Sequence, residues 1–288
     1  ENIMPDQPLR IVTFNILPIA YQLLTRWIHE NGHKHILAVT TPGPTTRPTP
    51  DYKGIVDSAP RNVDILVTTR LRKVATPLIR ALEPDLIMCF SFPYRLTPEL
   101  ISIPKIGAVN LHPAVLPAYR GPNVFRMFYE DWHEYGVTIH WMDAEFDTGN
   151  ILSQAKAPIP EEINPDAIMG NWLKIGYEAL EEGMAKAIAG EPGTQQDDSQ
   201  ATYAAPYTED ELWLDWNDTV RDLQLKHMGL TGQAKAKIDG KAYAITSLQK
   251  SENRENGEAG RILSQDDSQF VIQVADGTVE VQVAPLEE

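Results

Sequence analysis

The chain has 288 residues, 42% of them apolar, with one cysteine and a formal net charge of −15. That length predicts one large domain with a smaller companion, and a single thiol excludes a disulfide framework. The acidity argues against a surface built to grip nucleic acid, which draws its affinity from clustered Lys and Arg. No apolar run reaches the ~20 residues of a bilayer span, and the polar, proline-broken start ENIMPDQPLR does not resemble a secretory signal. The expectation is a cytoplasmic protein with no membrane partner.

In chain order, LRIVTF (9–14) is a β-branched apolar run ending on Asn15. From 16 to 31 the apolar residues Ile19, Leu23, Leu24, Trp27 and Ile28 recur at helical spacing, and Asn31-Gly32 supplies a C-cap. HILAVTT predicts a second strand, and 42–51, crowded with Pro, Thr and Gly, a loop. VDILVTT and PDLIMCFSF predict two more strands around the helical RKVATPLIRAL. GAVNLH and GVTIHWMD add another pair around a helical GPNVFRMFYEDW, and the strand ILSQAKAPI precedes a long helix at 165–189.

Continuously apolar strands alternating with helices predict an α/β fold with a doubly wound, mostly parallel, Rossmann-like sheet. Ligands of such sheets bind beyond the carboxyl ends of the strands. That rule places Asn15, the 91–94 stretch, Asn110, His112 and 143–147 along one rim. Residues 1–190 form the expected catalytic domain, and the Gly-, Pro- and Gln-rich 191–206 a linker. Residues 207–288 form a small antiparallel, OB-like β domain, marked by short alternating runs and a hairpin signal at Asp276-Gly277. Trp213 and Trp216 are expected to anchor the linker onto the larger domain, and His140 to be a satisfied sheet residue. His33 and His35 lack further ligands at metal spacing, so they are expected to be solvated loop residues and no metal is expected.

The stretch NLHPAVLPAYRG joins an amide donor, Asn110, to an imidazole, His112, in a frame stiffened by Pro113 and Pro117. With the carboxylate of Asp147 the set suits acyl transfer. A fixed N–H stabilises the developing oxyanion by ~3 kcal/mol, and a group titrating near neutrality moves the proton. No Ser or Cys nucleophile is needed if the acceptor itself attacks.

At NLHPAVLPAYRG (110–121) and GVTIHWMDAEFDTGNIL (136–152) the chain resembles the 10-formyltetrahydrofolate-dependent formyltransferases. ATYAAPYTEDELWLDW resembles the junction to the C-terminal β domain of the methionyl-tRNA formyltransferases. The resemblance implies 10-formyltetrahydrofolate as cosubstrate. It implies that Asn110 bonds the formyl oxygen and that His112 carries a proton from the attacking to the departing nitrogen. Asp147 would orient His112, with Thr148-Gly149 shaping its turn. It also implies that the pterin lies between Phe90, Ser91, Phe92, Tyr94 and Leu96 on one side and Met142, Asp143, Ala144, Glu145 and Phe146 on the other. Asn15, Arg120 and Asn123 fall on the acceptor side. Three departures touch the active site: Ala114 stands where the family commonly has Ser, Asn15-Ile16-Leu17-Pro18 replaces a glycine-bearing turn, and RGPNVF replaces RGAAP.

From residue 204 on, sixteen Asp and Glu face eight Lys and Arg, a net of −8, and the 42–51 loop holds only Arg47. Neither suits a polyanion, so the favoured acceptor is a small amine: an amino sugar or a modified amino acid such as hydroxyornithine. A methionyl-tRNA acceptor stays open, as does a hydrolase in which water replaces the amine and formate is released. A non-catalytic folate- or nucleotide-binding module fits less well with the intact Asn110, His112 and Asp147.

Overall fold

β1 (Arg10–Asn15) is buried at every position after the first, as expected of a strand covered on both faces at the centre of a sheet. The computed structural model describes residues 7–44, 50–252 and 257–286, so Arg47 lies outside the described residues. α1 (Pro18–Glu30) opens with a proline in its first turn and buries Tyr21, Leu24, Trp27 and Ile28. Asn31 ends it, its side-chain amide donating to the Trp27 carbonyl at 2.9 Å. β2 (Lys34–Thr40) pairs in parallel with β1. Then come α2 (Lys53–Ser58), β3 (Asp64–Val67), α3 (Thr76–Leu82) and β4 (Leu86–Phe90). Contrary to the solvated-loop expectation, His35 lies in β2, its Nε2 3.0 Å from Thr13 Oγ1, and the His33 ring packs against Trp27.

α4 (Pro98–Ile101) leads into β5 (Gly107–His112), which runs parallel to β4. α5 (Arg126–Tyr129) is a single turn where twelve helical residues were expected. β6 (Glu134–Trp141) runs antiparallel to β5, pairing Asn110 with His140 and Val109 with Trp141. β7 (Ile151–Pro158) completes a seven-stranded sheet of order β3-β2-β1-β4-β5-β6-β7. Because β6 is reversed, its carboxyl end lies beside the amino half of β5. Residues 143–147 therefore do not start from the shared rim, and the chain must double back for Asp147 to reach His112.

α6 (Pro165–Ile188) follows, then α7 (Val220–Leu230), β8 (Lys235–Ile238), β9 (Lys241–Lys250), β10 (Ile262–Gln265), β11 (Gln269–Val274) and β12 (Gly277–Pro285). The last five strands form an antiparallel sheet of order β10-β11-β12-β9-β8. The chain divides into two units that interleave along the sequence. The first takes residues up to 122, 136–156 and 171–203, and the second 123–135, 157–170 and everything from 204.

The reason for the interleaving lies in the second unit. α5 packs on α7, where the Gly229 backbone meets Tyr129 so closely that a Cβ there would lie 2.6 Å from the Tyr129 Cβ. Arg221 reaches the Asp131 carboxylate at 2.5 Å and the Glu161 carbonyl at 3.2 Å. The indole N–H groups of Trp213 and Trp216 donate to Glu209 and to the Lys237 carbonyl, fastening 209–216 within the second unit. Residues 191–203 of the expected 191–206 linker cluster with the first unit.

Two glycines of α6 test the packing with opposite signs. A Cβ at Gly183 would lie 2.6 Å from Ser153 Oγ and 2.7 Å from the Ile139 side chain, whereas at Gly170 it would meet nothing within 4 Å. Alanine in an exposed helix is favoured over glycine by ~1 kcal/mol, and overpacking costs ~1–3 kcal/mol. In urea unfolding, Gly170→Ala is expected to stabilise and Gly183→Ala to destabilise. Equal effects would contradict this packing.

Candidate active site

Asn110 and His112 are two residues apart on β5, so both side chains leave the same face of the sheet. The following loop is held rigidly. Thr138 Oγ1 accepts from the Leu116 N–H at 3.0 Å and donates to the Ala114 carbonyl at 2.8 Å. The Gln154 amide adds bonds to the Leu116 carbonyl and to Thr138 Oγ1. Ala114 itself is 1% exposed, its methyl group in the core.

Asp147 arrives from the returning loop in a left-handed backbone conformation, φ 57°, which a non-glycine residue holds only when its surroundings enforce it. Its Oδ2 accepts from the Gly121 backbone N–H at 2.9 Å, and its Oδ1 from Asn110 Nδ2 at 3.2 Å. His112 Nδ1 stands 3.4 Å and His140 Nε2 3.6 Å from the same Oδ1. Burial opposes ionisation of this carboxyl, but the two imidazoles and the Gly121 N–H outweigh it and hold it well below the usual carboxylate range.

The tautomers follow from the acceptors. A carbonyl only accepts, so His112 Nε2, 2.8 Å from the Tyr119 carbonyl, carries a proton and leaves Nδ1 as the basic nitrogen. By the same argument His140 Nδ1, 2.8 Å from the Trp141 carbonyl, is protonated, and its Nε2 accepts from Asn110 Nδ2 at 3.1 Å. Both Asn110 N–H groups are thus engaged at rest. Burial pushes the His112 imidazole below its ordinary value; Asp147 pulls it up, and His140 pushes it down. The arrangement presents a neutral base beside a buried carboxylate, with an amide donor adjoining.

Asn110 and His112 are therefore brought together with Asp147, and His140, a satisfied sheet residue as expected, stands beside the same carboxylate. Its signal lay in register: it sits directly opposite Asn110, which only the antiparallel pairing reveals. Asn15 is 1% exposed at the end of β1; its Nδ2 donates to the Phe90 carbonyl, and its Oδ1 has no hydrogen-bond partner among the described residues. Arg120, for which the sequence leaves acceptor contact and carboxylate pairing equally open, is buried and takes the second course, its guanidinium bonded to Asp198 and to Gln196. Asn123 belongs to the second unit and donates to the Ala204 carbonyl.

Among the expected pterin neighbours, Phe92, Tyr94 and Met142 pack against one apolar cluster. The exposed Arg95–Glu145 ion pair, at 3.1 Å, ties the two segments together. Ser91 has φ 54°, Asp143 accepts from Thr148 Oγ1, Ala144 is exposed, and Phe146 is 52% exposed. Phe90 and Leu96 are buried, the former against Trp172, so their backbones are what they offer a ligand. No group of His, Cys, Asp and Glu among the described residues is placed to hold a metal ion, and no described helix is long and apolar enough to cross a membrane.

Residues 51–183 match the family described as formyl transferase, and residues 207–288 its C-terminal domain. A methionyl-tRNA formyltransferase of Listeria monocytogenes is 31% identical over 203 residues, 69% of this chain and 65% of that protein, so the chain spans just under two thirds of that relative's length. HypX from Aquifex aeolicus in complex with tetrahydrofolic acid superposes with a TM-score of 0.70 at 18% identity, over 96% of this chain and 44% of that one. An N-formyltransferase from Helicobacter canadensis, in complex with folinic acid and dTDP-3-aminofucose, gives 0.62 at 15% identity, over 96% and 100%.

The electrostatics set a titration that needs no substrate. By NMR, His112 is expected to titrate below 6.5 in the native protein. Asp147→Asn should lower it further, because the carboxylate is what favours the imidazolium. A rise on that substitution would contradict the geometry.

Proposed function

This chain belongs to the formyl transferase family, and from that premise we propose that it moves a formyl group from 10-formyltetrahydrofolate to the amine of a small molecule. The observation that carries the reading is the convergence of Asn110 and His112 on one carboxylate oxygen, Asp147 Oδ1, which lies 3.2 Å from Asn110 Nδ2 and 3.4 Å from His112 Nδ1. The acceptor nitrogen attacks the formyl carbon, and a C–N bond forms as the carbonyl electrons move onto oxygen. An Asn110 N–H donates to that oxyanion, exchanging its resting acceptor. His140 is the cheaper partner to release, since the bond to the charged carboxylate is the stronger.

His112 Nδ1 takes the proton from the attacking nitrogen, and Asp147 stabilises the resulting imidazolium. The proton then passes to the folate nitrogen as its bond to carbon breaks. Products are the N-formyl compound and tetrahydrofolate. Phe92, Tyr94 and Met142 supply the apolar surface for the pterin.

Charge supports a small acceptor. A tRNA needs a basic face, whereas the chain from 204 on carries sixteen acidic against eight basic residues. The named ligand of the Helicobacter canadensis protein is an amino sugar linked to a nucleotide, in line with an amino-sugar acceptor here. Methionyl-tRNA is the second reading, favoured by the sequence relatives and by the C-terminal domain match.

One assay separates them. With 10-formyltetrahydrofolate, the protein is expected to formylate a nucleotide-linked amino sugar or hydroxyornithine at enzymic rates and to leave charged initiator tRNA unformylated. Efficient tRNA formylation would overturn the small-amine reading, and rapid formate release without any amine would make the protein a hydrolase. His112→Ala is expected to keep folate binding while turnover falls roughly 10²–10⁴-fold.

A further inference from the structure

We propose that Gln196 is a positioning residue for Asp147, a role that rests on the catalytic reading above. Residues 191–203 look like a linker in sequence, yet they lie bonded along the first unit. Thr194 exchanges two backbone hydrogen bonds with Ile151, each 2.8 Å. Thr202 accepts from the Tyr119 N–H through Oγ1 and from the Arg120 N–H through its carbonyl, and its own N–H donates to the Pro117 carbonyl. This strap delivers Gln196, 7% exposed, to a place between the two loops that build the active site.

All four hydrogen-bonding positions of the Gln196 amide are filled. Its Nε2 donates to the carbonyls of Asp147 and Gly149, both at 2.8 Å. Its Oε1 accepts from Arg120 Nε at 3.2 Å and Nη2 at 2.8 Å. The first pair pins the turn in which Asp147 holds its left-handed conformation. That turn has little slack: a Cβ at Gly149 would lie 1.8 Å from the Trp141 carbonyl oxygen. The second pair fixes Arg120, whose chain neighbour Gly121 donates its N–H to the Asp147 carboxylate.

Gln196 thus clamps Asp147 twice, at its backbone and through the residue before its N–H donor. Only a primary amide offers two donors and an acceptor with two lone pairs in this space. A glutamate would keep the Arg120 arm and lose both donors. Catalysis is sensitive to such support, since a displacement of about 1 Å costs on the order of a hundredfold in rate.

The test compares Gln196→Met, Gln196→Glu and, as a control, Asp198→Ala, which removes the exposed partner of Arg120 and leaves the Gln196 bonds in place. Gln196→Met is expected to lower kcat roughly ten- to hundredfold with KM little changed, and to move the His112 NMR titration midpoint downward, toward that of Asp147→Asn. Asp198→Ala should leave both readouts at the wild-type values. If the methionine variant does not fold, the glutamate variant decides on kcat, which should fall because both donors to the turn are gone. A wild-type kcat in whichever Gln196 variant is read, an unshifted His112 midpoint in Gln196→Met, or an equal effect of Asp198→Ala overturns the proposal. The titration needs neither folate nor amine, so it judges the clamp even if formyl transfer itself is disproved.

Discussion

The active site depends on keeping one carboxylate ionised where water is scarce. The Asp147 side chain is only 10% exposed, and a buried charge of that kind is tolerated only when donors surround it. Two donors meet it, the Gly121 backbone N–H and the Asn110 amide, and the His112 and His140 rings stand 3.4 and 3.6 Å from its Oδ1, poised to share its charge once protonated. The same contacts that stabilise the charge fix the groups that would do the chemistry. Asn110 is oriented because the carboxylate demands its N–H side, and His112 is oriented because the Tyr119 carbonyl demands its Nε2 proton.

The fold supplies these segments by an exception to its own regularity. Five parallel strands would carry the site along one rim, but β6 is reversed, and the loop after it must return across the sheet to bring Asp147 to His112. Such a return is not self-supporting, as the left-handed φ at Asp147 shows. It is sustained by the strap that carries Gln196, while the Thr138–Gln154 network holds the 113–117 loop on the other side of the site. Rigid support from neighbouring strands places the polar groups more firmly than the loops alone could.

Much of this was legible in the sequence because it rests on local pattern. The apolar strands, the helices between them and the pairing of Asn110 with His112 all follow from spacing. What escaped depended on long-range partners. His140 alternates along β6 like any buried residue, and only its register against Asn110 makes it a member of the site. The 191–203 strap is rich in the residues of loops, and nothing local says that Gln196 and Thr202 will find partners some eighty positions earlier in the chain. For Arg120 the sequence left contact with a substrate and pairing with a carboxylate equally open, and the carboxylate, Asp198, lies in that same strap. α7 had a readable start: Thr219 caps it by accepting from the Asp222 N–H, and Asp222 answers by accepting from the Thr219 hydroxyl. Its weakly apolar sequence hid the rest.

Chemistry and specificity are separate questions in this chain. In the proposed reaction, proton handling by His112 is the same for any amine. That proton handling rests on a neutral His112 whose Nε2 is protonated and whose Nδ1 is the base beside Asp147. Nitrogen-15 NMR of histidine-labelled protein near neutral pH reads that tautomer directly. A His112 spectrum with a pyrrole-type Nε2 and a pyridine-type Nδ1 is the predicted result; a proton residing on Nδ1 with Nε2 bare would contradict it.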